Sequence, residues 1–158
     1  MNEHPHTPKG DMFTNLLLAM FRATNLTLAW GDRLVAPMGL TSARWQILGT
    51  IVAAEKPQSV AWLARDLGAN RQNVQRIVND LLKDNIVTFE PNPHHRRSQL
   101  VKLTNEGRRR YETALLAYYP QVAHLAAHLT LSDLEAAQRV MASLIGKLQR
   151  QGSSDSPD

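Results

Sequence analysis

Cysteine is absent from this chain of 158 residues, which removes disulfides, thiolate metal sites and cysteine-based redox switching in one step. No apolar run approaches the roughly 20 residues needed to span a membrane. The opening Met1 to Lys9 is polar with two prolines, unlike a signal peptide. Glycine-rich phosphate loops are missing as well. No Ser/His/Asp pattern resembles a nucleophile elbow, and the carboxylates are scattered among helix caps and exposed positions. Enzymatic chemistry therefore has little support, so no catalytic residue and no cofactor is expected. A soluble cytoplasmic protein is the default expectation.

What is present is more specific. The length suits one compact unit with a real core and is short for two ordinary domains. Lys and Arg outnumber Asp and Glu by 18 to 14, a modest excess that suits a polyanion without identifying one. Its distribution says more: Arg96, Arg97, Lys102, Arg108, Arg109 and Arg110 fall within 15 residues, with Glu106 the one acid among them.

The stretch from Ser59 to Thr104 carries most of the information. Ser59 can cap a short helix whose Val60, Leu63, Ala64 and Leu67 share one face, and Gly68 breaks the run. Asn70 can cap a second helix with Val74, Ile77, Val78, Leu81 and Leu82 as its apolar stripe. Arg71, Gln72, Asn73, Gln75, Arg76 and Asn79 occupy its first turn and opposite face, side chains able to bond base edges and phosphates. Then come an apolar strand over residues 86–90, a turn-rich Pro91 to Arg97, and a second strand over 98–103. Helix, turn, helix and a hairpin tipped by His95, Arg96 and Arg97 make a winged helix, whose usual partner is duplex DNA.

Helices flank this lobe. Met12 to about Val35 is apolar well beyond one stripe, and Pro37-Met38-Gly39 ends it. Thr41 caps a helix bearing Trp45, Leu48, Ile51 and Val52. Thr104 opens a long helix with Glu106 in its first turn and Pro120 as an internal kink. Thr130 with Asp133 starts the last one. The expected fold is therefore mostly α: a winged helix-turn-helix with a two-stranded wing over 41–103, with dimerisation helices at 11–40 and 104–150. Flexible tails are expected at 1–10 and 151–158. The extra apolar helices bury their faces most economically against a second copy, which sets two recognition helices about 34 Å apart for an inverted repeat.

Gly39-Leu40-Thr41-x-x-x-Trp45-x-Ile47-Leu48, Leu63-Ala64-x-x-Leu67-Gly68, Arg71-x-x-Val74-x-Arg76-x-Val78-x-x-Leu81 and Pro93-x-x-Arg96-Arg97-Ser98-x-x-Val101-x-Leu103-Thr104-x-x-Gly107-Arg108 occur in order. Together they resemble a MarR-family transcriptional regulator from about residue 12 to 150. The resemblance implies a homodimeric winged-helix regulator, usually a repressor, relieved by a small aromatic or phenolic ligand between the dimerisation helices and the DNA-binding lobe. His95 stands where the family wing usually carries an acid that helps hold a wing arginine. A neutral or protonated His95 would instead meet phosphate directly.

Other readings compete at several positions. Trp30 and Trp45 would wall an aromatic pocket with Arg44 as its anion partner; alternatively Arg44 pairs with a surface acid and Trp45 is core. Arg108 to Arg110 open a helix at its unfavourable end for cations, which invites either a phosphate or salt bridges. His124 and His128 lie one turn apart, but with no third ligand at fixed spacing no metal is expected. A protein–protein adaptor on the same fold would show apolar anchors at Gln72, Asn73 and Gln75, where this chain has amides.

Overall fold

The computed structural model describes residues 7–154, with side chains up to residue 151. The elements run α1 (Pro8–Val35), a 3₁₀ turn (Ala36–Met38), α2 (Ser42–Ala53), β1 (Gln58–Ser59), α3 (Val60–Asp66), α4 (Arg71–Lys83), β2 (Val87–Glu90), β3 (Leu100–Leu103), α5 (Asn105–Ala126) and α6 (Leu131–Ser154).

Local chemistry explains most boundaries. Thr7 Oγ1 accepts from Gly10 N at 3.1 Å and Pro8 takes the first helical turn, so α1 starts earlier than its apolar pattern. Residues 8–10, expected in a flexible tail, are helical because of that cap, and 151–154 continue α6. The rest of both expected tails, 1–6 and 155–158, lies outside the described residues. Pro37 and the left-handed Gly39 (φ 68°) end the first segment, a conformation glycine adopts without Cβ strain. Thr41, Ser59 and Asn70 accept from backbone N–H groups at the starts of α2, α3 and α4. Thr130 Oγ1 accepts from Asp133 N at 3.1 Å before α6.

The strands form a three-stranded antiparallel sheet in the order β1-β3-β2. Val87 faces Leu103 and Glu90 faces Leu100, the two-stranded wing read from the sequence. The third strand is additional: Gln58 pairs with Val101 and Ser59 with Leu100. Two residues show no alternation, so this pairing has no local signature.

The core lies between these layers. Ile47 and Leu48 of α2, Leu63 of α3, Val74, Val78 and Leu81 of α4, and Val87 and Val101 of the sheet are fully buried, joined by Val35 and Ala114. Leu82, expected in the α4 stripe, is exposed, because Val74, Ile77, Val78 and Leu81 already complete the buried face. Trp62 is half-buried against the core. Gly107 is buried where a Cβ would overlap Ile86 O, and Thr104 N donates to that same carbonyl at 3.1 Å. The wing and the start of α5 are thereby tied together.

Two compact units result, the first reaching Tyr118 and the second beginning at Tyr119. The hydrophobic core belongs to the first. In the second, no described residue is buried.

Candidate nucleic-acid interface

Asn70 Oδ1 accepts from Gln72 N (2.8 Å) and Asn73 N (3.3 Å), which starts α4 just after the left-handed Gly68. With one face buried, the other must carry the polar side chains. Arg71, Gln72, Asn73, Arg76 and Asn79 are exposed and Gln75 is half-buried. The face is organised in two rows whose successive residues lie one helical turn apart. Gln75 Nε2 donates to Asn79 Oδ1 at 3.0 Å. In the other row, Arg76 Nη2 donates to Asn73 Oδ1 at 2.9 Å, and Asp80 lies 3.7 Å from Arg76 and 3.4 Å from Lys83. The sequence reading missed Asp80; its only signal was an acid one turn after Arg76.

The wing stands beside this helix. Asn92 Oδ1 accepts from His94 N at 3.0 Å, and Ser98 N donates to His95 O at 2.9 Å, folding the tip back on itself. His95, Arg96 and Arg97 are exposed there, and none of them is ion-paired among the described residues. A cleft of about 260 Å³ is lined by Arg71, Gln75 and Asn79 of α4 and by Phe89, Arg97, Ser98 and Gln99 of the wing. The two sets of expected DNA contacts therefore border one concave surface.

The arginines opening α5 divide. Arg109 and Arg110 both donate to Glu106 at 2.7 Å, and Arg110 Nη1 reaches Met38 O at 3.2 Å. Their guanidiniums hold the Glu106 carboxyl down to about 2, from an ordinary 4.5. Salt bridges thus account for Arg109 and Arg110, while Arg108 is exposed.

The ligand candidates separate as well. Trp30 and Trp45 meet on Tyr118, with ring centroids 6.0 and 5.0 Å from it. Trp45 Nε1 is buried there with no hydrogen-bond partner among the described residues. Arg44 does not join them: of its two expected roles, anion partner of the tryptophans or partner of a surface acid, the geometry matches the second. Its Nη2 is paired with Asp84 and its Nη1 donates to Gly39 O at 3.2 Å. One residue along a helix turns a side chain by about 100°, so Arg44 faces the end of α4 while Trp45 faces the aromatic group. The Asp84 carboxyl is held below its ordinary range by that guanidinium. Tyr118 comes from α5, and nothing local in the sequence marks it as an aromatic partner.

A model of the MarR family matches residues 38–98, the span that holds the helix-turn-helix and most of the wing. An uncharacterised protein of Mycobacterium tuberculosis, Rv2011c, is 38% identical over 100 residues, 63% of this chain and 68% of that protein. The chain belongs to the MarR family. MarR proteins are transcription regulators rather than enzymes, and this one is a DNA-binding regulator of winged-helix fold. The transcriptional activatory protein BadR of Rhodopseudomonas palustris is 26% identical over 148 residues, 90% of this chain and 83% of its own.

Solved MarR-type structures share the fold. MosR of M. tuberculosis, in complex with DNA, superposes with a TM-score of 0.73 at 22% identity, covering 85% of this chain and 96% of that one. CouR from Rhodococcus jostii RHA1, bound to p-coumaroyl-CoA, gives 0.73 at 17% identity, covering 82% and 90%. Among the described residues no group of three His, Asp or Glu side chains is placed to hold a metal, and no helix is long and apolar enough to cross a membrane.

Proposed function

We propose that this MarR-family regulator is a homodimeric repressor of an inverted-repeat operator, with α4 in the major groove and the wing in the adjacent minor groove. The observation that carries this reading is the sorting of α4. Val74, Ile77, Val78 and Leu81 are buried, and its outward face holds amides and guanidiniums beside the cationic wing. Gln72, Asn73, Gln75 and Asn79 present groups that read base edges. Arg71, Arg76, His95, Arg96 and Arg97 supply cationic contacts to the duplex. An adaptor would need apolar anchors on this face, which the polar set does not provide.

Dimerisation is supported by apolar side chains exposed on each terminal helix. Met12, Leu16, Leu18 and Phe21 of α1 are exposed, as are Leu131, Ile145 and Leu148 of α6; Leu17, Met20 and Leu144 are half-buried. Burying such side chains is worth about 1.5–3 kcal/mol each, enough in aggregate to hold two copies together. Joining two half-site readers also raises operator affinity through effective concentration. Replacing Ile145 and Leu148 together by Asp should give a monomer in sedimentation that has lost most operator affinity.

The Trp30–Trp45–Tyr118 group supports relief by a small aromatic or phenolic ligand. An aromatic ligand with a hydrogen-bond acceptor would stack there and satisfy Trp45 Nε1. The structure of CouR bound to p-coumaroyl-CoA makes an aromatic acyl compound a sensible first probe. To release DNA, the ligand must bind the non-operator spacing of the two recognition helices more tightly than the operator spacing.

Selection of bound sequences from random duplex DNA tests the reading. A two-fold symmetric site with half-sites one helical turn apart supports it; an asymmetric site, or no enrichment, overturns it. Activation is the second reading, favoured by the activatory R. palustris relative. Transcripts beside the selected site should rise on deletion of the gene if it represses, and fall if it activates.

A further inference from the structure

Asp80 is a carboxylate on a helix face that must approach a polyanion. It is half-buried on the row Asn73–Arg76–Asp80–Lys83. Arg76 is held from both directions along that row: Nη2 donates to Asn73 Oδ1 at 2.9 Å, and Nη1 lies 3.7 Å from Asp80 Oδ2. Asp80 Oδ1 is also 3.4 Å from Lys83 Nζ. The same carboxylate therefore neutralises two cations on the outward face of α4. It lines both the groove along α4, with Gln72, Gln75 and Asn79, and the cleft shared with Thr41 and Ala43 of α2.

We propose that Asp80 is a specificity-determining positioning residue, which directs Arg76 away from phosphate and onto a base edge. A phosphate approaching Arg76 would meet the Asp80 carboxylate as a like charge. A guanine edge carries no net charge and offers O6 and N7 acceptors to a guanidinium fork. Arg76 has five donors; with Nη2 bonded to Asn73 and Nη1 turned toward Asp80, the others remain to meet a base edge. Pairing Lys83 with the same carboxylate lowers the electrostatic attraction for any duplex, whatever its sequence. Asp80 thus exchanges sequence-independent affinity for discrimination, because phosphate contacts position a protein while base contacts specify its site. The inference rests on α4 being the DNA-reading helix.

The experiment compares wild type with Asp80→Asn, Asp80→Glu and Arg76→Ala, and with the Asp80→Asn/Arg76→Ala pair, on the selected operator and on random duplex over a range of salt. Asp80→Asn should bind random duplex more tightly, with a log K against log salt slope about one unit steeper; between 1 M and 0.1 M salt that is up to about eightfold. Operator discrimination should fall, and reselection should show relaxed preference at one base pair per half-site. Asp80→Glu should restore part of it. Arg76→Ala should cost discrimination in the wild-type background but a sequence-independent share of affinity in the Asp80→Asn background. An Asp80→Asn protein with unchanged salt slope and unchanged base preference overturns the proposal. If Arg76→Ala and Gln72→Ala also leave binding unaltered, the assignment of α4 to DNA falls instead.

Discussion

Ser42 closes onto Gly31 where α2 crosses α1. Its hydroxyl donates to Leu28 O at 2.8 Å and its backbone N–H to Asp32 Oδ1 at 2.6 Å. A Cβ on Gly31 would overlap the Ser42 hydroxyl while clearing Ser42 Cβ at 3.5 Å. This crossing joins the first helix to the lobe that bears α4. Gly31→Ala should therefore destabilise the fold by about 1–3 kcal/mol in denaturant unfolding. In the Gly31→Ala/Ser42→Ala double mutant the obstructing oxygen is gone, so the combined loss should be smaller than the sum of the single losses. Strict additivity would show that the two residues do not share the crossing.

At the wing, Arg96→Ala with Arg97→Ala should weaken binding to operator and random duplex alike. The salt slope should shrink by about one unit for each of these arginines that meets a phosphate. Both side chains are exposed and free of ion pairs among the described residues, so folding should be unaffected. Unchanged affinity and slope would remove the wing from the interface.

Acid should loosen the joint between α5 and the turn after α1. The Glu106 carboxyl titrates at about 2 in the folded chain against an ordinary 4.5. A depressed folded value means that its contribution is present above about pH 4.5 and is lost as pH falls toward 2. Asp84, lowered by Arg44, shifts stability in the same direction. Glu106→Gln should unfold more readily than wild type near neutrality, and the two curves should converge as pH falls through that window. Parallel curves down to pH 2 would show that the Arg109 and Arg110 contacts do not stabilise the fold.

Trp45→Phe removes a buried N–H that has no partner among the described residues while keeping an aromatic ring against Tyr118. Stability without ligand should change by no more than about 1 kcal/mol, since the lost apolar area is offset by the removed desolvation cost. Release of operator by salicylate-like or phenolic compounds should weaken markedly in a titration followed by DNA mobility. Arg44→Ala, by contrast, should respond to those compounds as wild type does, because Arg44 is engaged with Asp84 rather than with the aromatic group. An altered ligand response in Arg44→Ala alone would reverse this assignment.

What was legible in the chain was the chemistry acting within about one helical turn. The caps at Thr41, Ser59, Asn70 and Thr130 depend on a side chain meeting a backbone N–H two or three residues on, and the left-handed stop at Gly68 is just as local. Period-3.6 spacing located the buried face of α4, and by exclusion its polar face. Only tertiary structure could decide the rest. The β1 strand exists because β3, over 40 residues later, offers its free edge. Arg44 pairs with Asp84 across 40 residues, and Trp30 and Trp45 converge on Tyr118 from three different helices. Leu82 has helical apolar spacing and is still exposed, because the width of the buried stripe depends on the neighbours packed against it. Short-range hydrogen bonds and periodicity are written in the order of residues. Pairings between distant segments follow from how the packed core brings those segments together.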